Sequence, residues 1–184
     1  MNEKFDCRKC PIANECNVPL YQKNSDLNLI NSRLLIILEK PSQEDNDIQL
    51  GFYDRHFKFL QKLVTDNYGP AVAYSYTVKC YTEKLTVKQA EICSRSWLSR
   101  EVSLFNQKPG SILIMGQLTF NICQKYLNEK FGLSGSFAAN MGYNQVTRTG
   151  VSYAPAHYFN RGVKHHQTLI SLLKSIKEHH ASIH

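Results

Sequence analysis

Four cysteines limit the folds open to this chain more than any other feature of its sequence. Cys7 and Cys10 form a C-x-x-C pair near the start, Cys80 ends a predicted strand, and Cys93 lies inside the helix that follows. These side chains can converge only if the N-terminal segment folds back onto the middle of the chain. A metal centre would hold it there, and four thiolates bind either a zinc ion or a [4Fe–4S] cluster. The residues alone leave both metals open.

The composition indicates a globular protein with a polyanionic partner. With 184 residues, 42 % of them hydrophobic, the chain is long enough for one domain with its own core. It has neither an apolar run of membrane-spanning length nor a signal peptide, so we expect a cytoplasmic monomer without membrane contact. In that reducing compartment, six cysteines favour metal ligands or buried thiols over disulfides. The net charge of +7 favours nucleic acid as the partner.

Apolar strands that alternate with amphipathic helices predict an α/β protein. Four segments have the pattern of strands, namely residues 33–38, 71–78, 111–116 and 146–153. Phe57, Leu60, Leu63 and Val64 recur at helical spacing, and Thr86 begins a long helix through about Phe105. This order predicts a three-layer α/β/α sandwich around a central, mostly parallel, four-stranded sheet. Functional side chains are then expected in the loops at the carboxyl ends of the strands.

Several short motifs follow one another in a set order. They are Cys7-Arg8-Lys9-Cys10, Leu38-Glu39-Lys40-Pro41-Ser42 running to Phe52, Val78-Lys79-Cys80, and Glu91-Ile92-Cys93. Their order resembles that of the uracil-DNA glycosylase superfamily, in particular its iron–sulfur family 4, over nearly the whole chain. The resemblance implies a [4Fe–4S] cluster held by Cys7, Cys10, Cys80 and Cys93. It also implies that residues 1–184 form one glycosylase-like domain with an N-terminal cluster-binding segment.

The resemblance further implies a base pocket beside an acidic loop. Phe52 matches the aromatic residue on which the family stacks a flipped base, and Asp45 falls where the family keeps an acidic residue that positions water. Glu39 and Glu44 are neighbouring carboxylates in the same loop. A carboxylate there can orient a water and stabilise the oxocarbenium-like charge of the reaction. The alternatives are that Phe52 packs in the core and that the acidic loop is merely solvated.

Positions that recognise uracil in the family differ in this chain. Tyr76 replaces the family's asparagine, and Ala154 stands where the catalytic histidine is expected. His157, three residues further on, is the candidate substitute. Lys40 occupies the position of the water-activating residue of other superfamily members, and it is also a candidate nucleophile for strand cleavage. Together with Ser75, the residues Tyr76, Ala154 and Lys40 are the predicted base-contacting set.

Three functions are compatible with these changes. The first is a glycosylase for a bulky polar base, such as the hydroxymethylated or glucosylated cytosine of phage DNA, because a histidine-to-alanine change enlarges the pocket. The second is a DNA-binding protein without catalysis, and the third is ordinary uracil excision with His157 as the electrophile. Contacts to single- or double-stranded DNA are expected from Lys79, Lys84, Arg161 and Lys164, and from Tyr158 and Phe159 as an apolar wedge unless these rings pack in the core.

Overall fold

The structure is a computed structural model. It describes residues 10, 25–105, 110–116, 118–123, 151–156 and 163–182, and of these 25–26, 151–156 and 163–165 in their backbone alone. Within this part of the chain, no helix is both long enough and apolar enough to span a membrane.

Helices and strands alternate along the chain, as the apolar pattern predicts. The helices are α1 (Ser25–Asn31), α2 (Gln43–Asp47), α3 (Arg55–Asn67), α4 (Val87–Cys93), α5 (Ser99–Phe105), α6 (residues 118–123) and α7 (Val163–Ser182). A π-helical segment, Ser94–Leu98, joins α4 to α5, so the long helix predicted after Thr86 is interrupted. The strands are β1 (Leu34–Leu38), β2 (Val72–Tyr76), β3 (Gly110–Met115) and β4 (Val151–Ala156).

The strands form one parallel sheet in the order β2-β1-β3-β4. Every residue of β1 and of β3 is buried, which explains why both segments are apolar without alternation. Leu34 of β1 pairs in register with Val72 on one side and with Ser111 on the other. The predicted α/β fold with a parallel sheet is therefore confirmed.

Helices cover both faces of the sheet. Alternate side chains of β1 point to opposite faces, so Ile36 packs in one cluster and Ile37 in the other. The first cluster contains the buried apolar residues of α3 and α7, and the second contains Leu29 of α1, Val102 and Phe105 of α5, and Phe120 of α6. The four residues at helical spacing in α3 are its buried ones, namely Phe57, Leu60, Leu63 and Val64.

The fourth strand extends further along the chain than its sequence pattern predicts. The prediction was a strand at 146–153 followed by a loop from Ala154, whereas β4 includes Ala154, which pairs in register with Leu113. Among the described strands, β4 lies at the edge of the sheet, where hydrogen bonds are needed on one side only, so Pro155 is tolerated there.

Candidate active site

The carboxyl ends of β1 and β2 bring together three of the predicted site residues, Asp45, Phe52 and Tyr76. The hydrogen bonds between β1 and β2 continue past the end of β2, where Thr77 donates its N–H to the Leu38 carbonyl at 2.8 Å. The α2 helix and the loop before α3 lie above this edge, where α/β proteins carry their ligand sites.

Asp45 is completely buried, and its carboxylate organises the surrounding backbone. It closes a capping box at the start of α2, in which Asp45 Oδ2 accepts the N–H of Ser42 at 3.1 Å. Asp45 Oδ1 accepts the N–H groups of Tyr53 at 2.8 Å and of Asp54 at 3.2 Å. The hydroxyl of Tyr76 donates to Asp45 Oδ2 at 2.9 Å.

These contacts correct the role predicted for Asp45. An ionised carboxylate has about four lone-pair sites, and four hydrogen bonds reach this one. With no exposed surface and all its acceptor sites engaged, Asp45 is not placed to hold a water for catalysis. It positions the chain between α2 and α3 instead.

Phe52 lies in this positioned segment with its ring against Tyr76. The two rings are parallel within 10°, with centroids 4.2 Å apart. The centroids of Phe57 and Tyr74 lie at 5.0 Å and 6.1 Å from that of Phe52. Phe52 has a backbone φ of 64°, a left-handed conformation that costs a bulky residue about 1–3 kcal/mol. Such strain persists where the surroundings fix it, as the Asp45 hydrogen bonds do on the residues after Phe52.

Tyr76 is buried, and its hydroxyl both accepts and donates a hydrogen bond. Its hydroxyl accepts the N–H of Phe52 at 3.2 Å while donating to Asp45. Burial, and then the Asp45 carboxylate, raise the pKa of this hydroxyl, so it stays a donor. A base that stacks on the same face of Phe52 has to displace the Tyr76 ring. The structure thus places Tyr76 beside Phe52, as predicted, but with its hydroxyl already committed to protein groups.

Lys79 and Ser75 are corrections, because both face the interior. The Lys79 ammonium is buried between the two carboxylate oxygens of Glu101, at 2.7 Å and 2.6 Å. Ser75 donates to Glu101 at 2.5 Å and accepts from Lys79 at 2.8 Å. Lys79 therefore does not present its charge to DNA, and Ser75 does not present its hydroxyl to a base. Sequence reasoning missed Glu101, because no spacing in the sequence pairs this carboxylate on α5 with Lys79.

Lys40 connects the end of β1 to the segment after Cys80. Its ammonium donates to the carbonyl of Thr82 and lies 4.8 Å from the centroid of the Tyr81 ring. Burial lowers the pKa of Lys40, while the carboxylates of Glu39 and Glu83 act in the opposite direction.

The remaining predicted residues of this region differ in exposure. Glu39, directly after β1, is half-buried, whereas Glu44 on α2 and Lys84 are exposed. Among the predicted carboxylates, Glu39 is thus the one that lies at the sheet edge and still has accessible surface.

Two of the predicted metal ligands lie on adjacent segments. The Sγ atom of Cys93 accepts the N–H of Lys79 at 3.3 Å, which brings it beside the backbone that leads to Cys80. Hydrogen bonds to sulfur are a usual feature of cluster-binding thiolates. Cys10 and Cys93 are not part of a disulfide. Cys7 lies outside the described residues, within which no three potential metal ligands are grouped.

Several predictions fall where the structure gives no side chains. His157, Tyr158, Phe159 and Arg161 lie outside the described residues. The backbone places Ala154 in β4 and Lys164 in the first turn of α7.

The fold is that of an α/β protein with a parallel sheet. Phe52, Tyr76 and the buried Asp45 lie at the carboxyl ends of its strands, where such proteins usually carry their ligand sites. The family model of the uracil DNA glycosylase superfamily matches residues 25–174. The chain therefore belongs to this superfamily, whose members are DNA glycosylases that hydrolyse N-glycosyl bonds. A comparison with curated proteins gives no match. The predicted superfamily is confirmed, while the matched range begins after Cys7 and Cys10 and so does not bear on the predicted cluster.

Proposed function

We propose that this protein is a DNA glycosylase that flips out and excises a modified base other than plain uracil, leaving an abasic site. Its superfamily supports the glycosylase chemistry. The position of Tyr76 is the observation that carries the choice of base. The Tyr76 hydroxyl is shared between Asp45 and the Phe52 N–H. Its side chain has no amide that could bind uracil.

The proposed substrate is a bulky, polar base of the kind that phages install, hydroxymethylated or glucosylated cytosine. Excision of such a base from invading DNA would be an anti-phage activity. The departures at Tyr76 and Ala154 support this assignment, because they remove both family residues that recognise uracil. The protein is proposed to act on DNA in the cytoplasm as a monomer.

Glu39 is the carboxylate that we assign to catalysis. Hydrolysis of the glycosidic bond needs a group that orients water toward C1′ and opposes the positive charge that develops on the sugar. Asp45 is buried and saturated with hydrogen bonds, and Glu44 lies on the exposed side of α2. Glu39 is half-buried at the carboxyl end of the central strand β1.

The proposal includes a [4Fe–4S] cluster held by Cys7, Cys10, Cys80 and Cys93, as in the iron–sulfur family 4. The hydrogen bond from Lys79 to Cys93 supports it, since it places Cys93 beside the segment of Cys80. The cluster would join the N-terminal segment to the middle of the chain. Protein purified without oxygen should contain about four iron and four sulfide per chain, and zinc without sulfide would contradict the assignment.

A DNA-binding protein without catalysis is the second candidate. The saturation of Asp45 and the stacking of Tyr76 on Phe52 favour it, because both leave the pocket occupied by the protein's own groups. Retained DNA binding with no base excision on any substrate would support this candidate.

An incision assay separates these functions. Cluster-loaded protein is incubated with duplexes that contain uracil, hydroxymethylcytosine, glucosylated hydroxymethylcytosine or no modified base, and each reaction is then treated with alkali. We expect cleavage of the modified-cytosine DNA alone. Glu39→Gln should abolish it, whereas the matched control Glu44→Gln, on the exposed part of the same acidic loop, should retain it. Cleavage of uracil DNA would restore ordinary uracil excision.

A further inference from the structure

Lys40 lies beside the candidate site but has no part in the hydrolysis proposed above. It follows Glu39, the carboxylate assigned to catalysis, and stands two residues beyond the end of β1. Leu38, the last residue of β1, pairs in register with Tyr76, whose ring stacks on Phe52. The chain at Lys40 therefore leaves the central strand at the edge of the sheet that carries the aromatic pair.

Two contacts hold the side chain of Lys40 in place. Its ammonium donates to the carbonyl of Thr82 and lies near the ring of Tyr81. The side chain is half-buried, so part of it is accessible. Once neutral, the amine keeps two N–H groups, one of which can still donate to Thr82, and it gains a lone pair. It can therefore react with an electrophile without losing its hydrogen bond to the protein.

The surroundings of Lys40 favour the neutral amine more than those of an exposed lysine do. Burial lowers the pKa of its ammonium, and the carboxylates of Glu39 and Glu83 oppose that effect without cancelling it. Partly desolvated lysines with a lowered pKa are the ones that enzymes use as amine nucleophiles toward carbonyl carbons. The two carboxylates are close enough to act on the charge of Lys40. An amine and a base are therefore present together at this edge of the sheet.

We propose that Lys40 gives the protein a second activity, which is cleavage of the DNA strand at an abasic site. The abasic sugar is the product of the proposed base excision, and its ring opens to an aldehyde at C1′. An aldehyde carbon is the electrophile with which a lysine amine forms a Schiff base. This inference rests on the proposed action on DNA, but not on which base is excised.

The reaction proceeds through that Schiff base and needs no further reactant. The Lys40 amine adds to the C1′ aldehyde, and loss of water forms the iminium. The Glu39 carboxylate takes a proton from C2′, and the electron pair of that C–H bond forms the C2′=C3′ double bond. The C3′–O bond breaks, and its electrons leave with the phosphate. Water then hydrolyses the imine, which releases Lys40 and leaves an unsaturated aldehyde at the 3′ end of one DNA fragment.

Trapping with borohydride tests this activity. The duplex carries one abasic site, made beforehand from uracil DNA with a separate glycosylase, so that the assay requires no base excision by this protein. Sodium borohydride reduces the Schiff base to a stable amine, which leaves the protein joined to the DNA. We expect a trapped adduct that mass spectrometry maps to Lys40. When borohydride is omitted, we expect strand cleavage without alkali treatment.

Matched substitutions separate the amine of Lys40 from its charge. Lys40→Arg keeps a cation that can donate to Thr82 but cannot form a Schiff base, so it should lose both the adduct and the cleavage. Lys88→Arg, at an exposed lysine of α4, should keep both. A duplex with a tetrahydrofuran abasic analogue, which has no aldehyde, should give neither with the wild type. If Lys40→Arg fails to fold, which thermal unfolding would show, the mapped adduct of the wild type still decides.

The outcomes separate strand cleavage from the proposed function. If the wild type cuts the preformed abasic site through Lys40 but releases no base from any duplex, the proposed excision fails and strand cleavage stands. If it releases a base but gives neither an adduct nor cleavage without alkali, strand cleavage alone is overturned. An adduct that maps to another amine, or that Lys40→Arg retains, would also overturn the role of Lys40.

Discussion

Tyr76 donates a hydrogen bond of 2.9 Å to Asp45, which joins the end of β2 to the helix α2 across 31 residues of sequence. Through this bond, Tyr76 supports the loop that carries Phe52. The end of β2 and the loop are therefore coupled, and a change at Tyr76 or at Asp45 should affect both.

Removal of the Tyr76 hydroxyl should destabilise the protein. Tyr76→Phe keeps the stacked ring but removes the acceptor of the Phe52 N–H and one of the two donors to Asp45 Oδ2, at a cost of about 1–3 kcal/mol in the free energy of unfolding. Urea unfolding measures it. Tyr53→Phe, at an exposed ring, should stay within about 0.5 kcal/mol of the wild type. Equal stability of the Tyr76→Phe protein would show that the bond does not support the loop.

Loss of the Asp45 carboxylate should lower the stability of the fold, whereas loss of the Glu39 carboxylate should lower the rate of base excision. Asp45→Asn replaces one acceptor oxygen by an amide donor that faces buried N–H groups, so it should destabilise the fold by about 3 kcal/mol. Glu39→Gln should lower the rate of base excision with little loss of stability, because this side chain is half-buried. Unfolding curves and single-turnover rates are compared for the two variants. A stable Asp45→Asn protein that is catalytically dead would assign the catalytic role to Asp45 after all.

The buried ion pair of Lys79 and Glu101 should contribute to stability and not to DNA binding. Lys79→Met leaves an unpaired buried carboxylate and should cost about 3–5 kcal/mol, whereas Lys79→Met with Glu101→Leu should recover most of that loss. Once its fold is verified, the double variant should bind DNA like the wild type. Lys84→Gln, at an exposed cation, should weaken binding. Loss of DNA affinity in a folded double variant would contradict the assignment.

A histidine at the opposite end of the sheet should make stability depend on pH. His180 lies between the Tyr68 hydroxyl at 2.7 Å and the Ser111 hydroxyl at 2.8 Å. Burial, and then the charges of Arg33 and His179, lower its pKa from 6.5 to about 4. The unfolded chain therefore takes up a proton before the folded protein does. The contribution of the neutral His180 to the free energy of unfolding is complete above pH 6.5 and is lost as the pH falls from 6.5 through about 4.

The change that tests this pH dependence is His180→Gln. Urea unfolding followed over that pH range should show a smaller fall in stability for the variant than for the wild type. An unchanged slope would assign the pH dependence to other groups.

Sequence reasoning is reliable here where periodicity alone determines the structure. The apolar run of β1 and that of residues 112–115 in β3 predict strands buried on both faces, and every residue of both strands is buried. It fails where a side chain's direction depends on distant contacts. Lys79 follows a strand like a surface cation, yet its ammonium meets Glu101 in the interior. Spacing cannot reveal that contact, because it depends on how α5 packs against the end of β2.

The motifs of the candidate site likewise predict which residues are neighbours but not where their side chains point. They place Asp45, Phe52 and Tyr76 in one site, which the structure confirms as neighbours. They do not indicate which of these groups faces a substrate, because that depends on rotamers and on the hydrogen bonds each group makes. The strained backbone of Phe52 and the saturation of Asp45 are visible only in three dimensions.

The most direct test of the account is to identify the base that the protein releases. Wild-type protein is incubated with three duplexes that differ only in one nucleotide, which is uracil, hydroxymethylcytosine or glucosylated hydroxymethylcytosine, and the free bases are measured by mass spectrometry. We expect a released modified cytosine and no released uracil. Release of uracil, or of no base from any duplex that the protein binds, would contradict it.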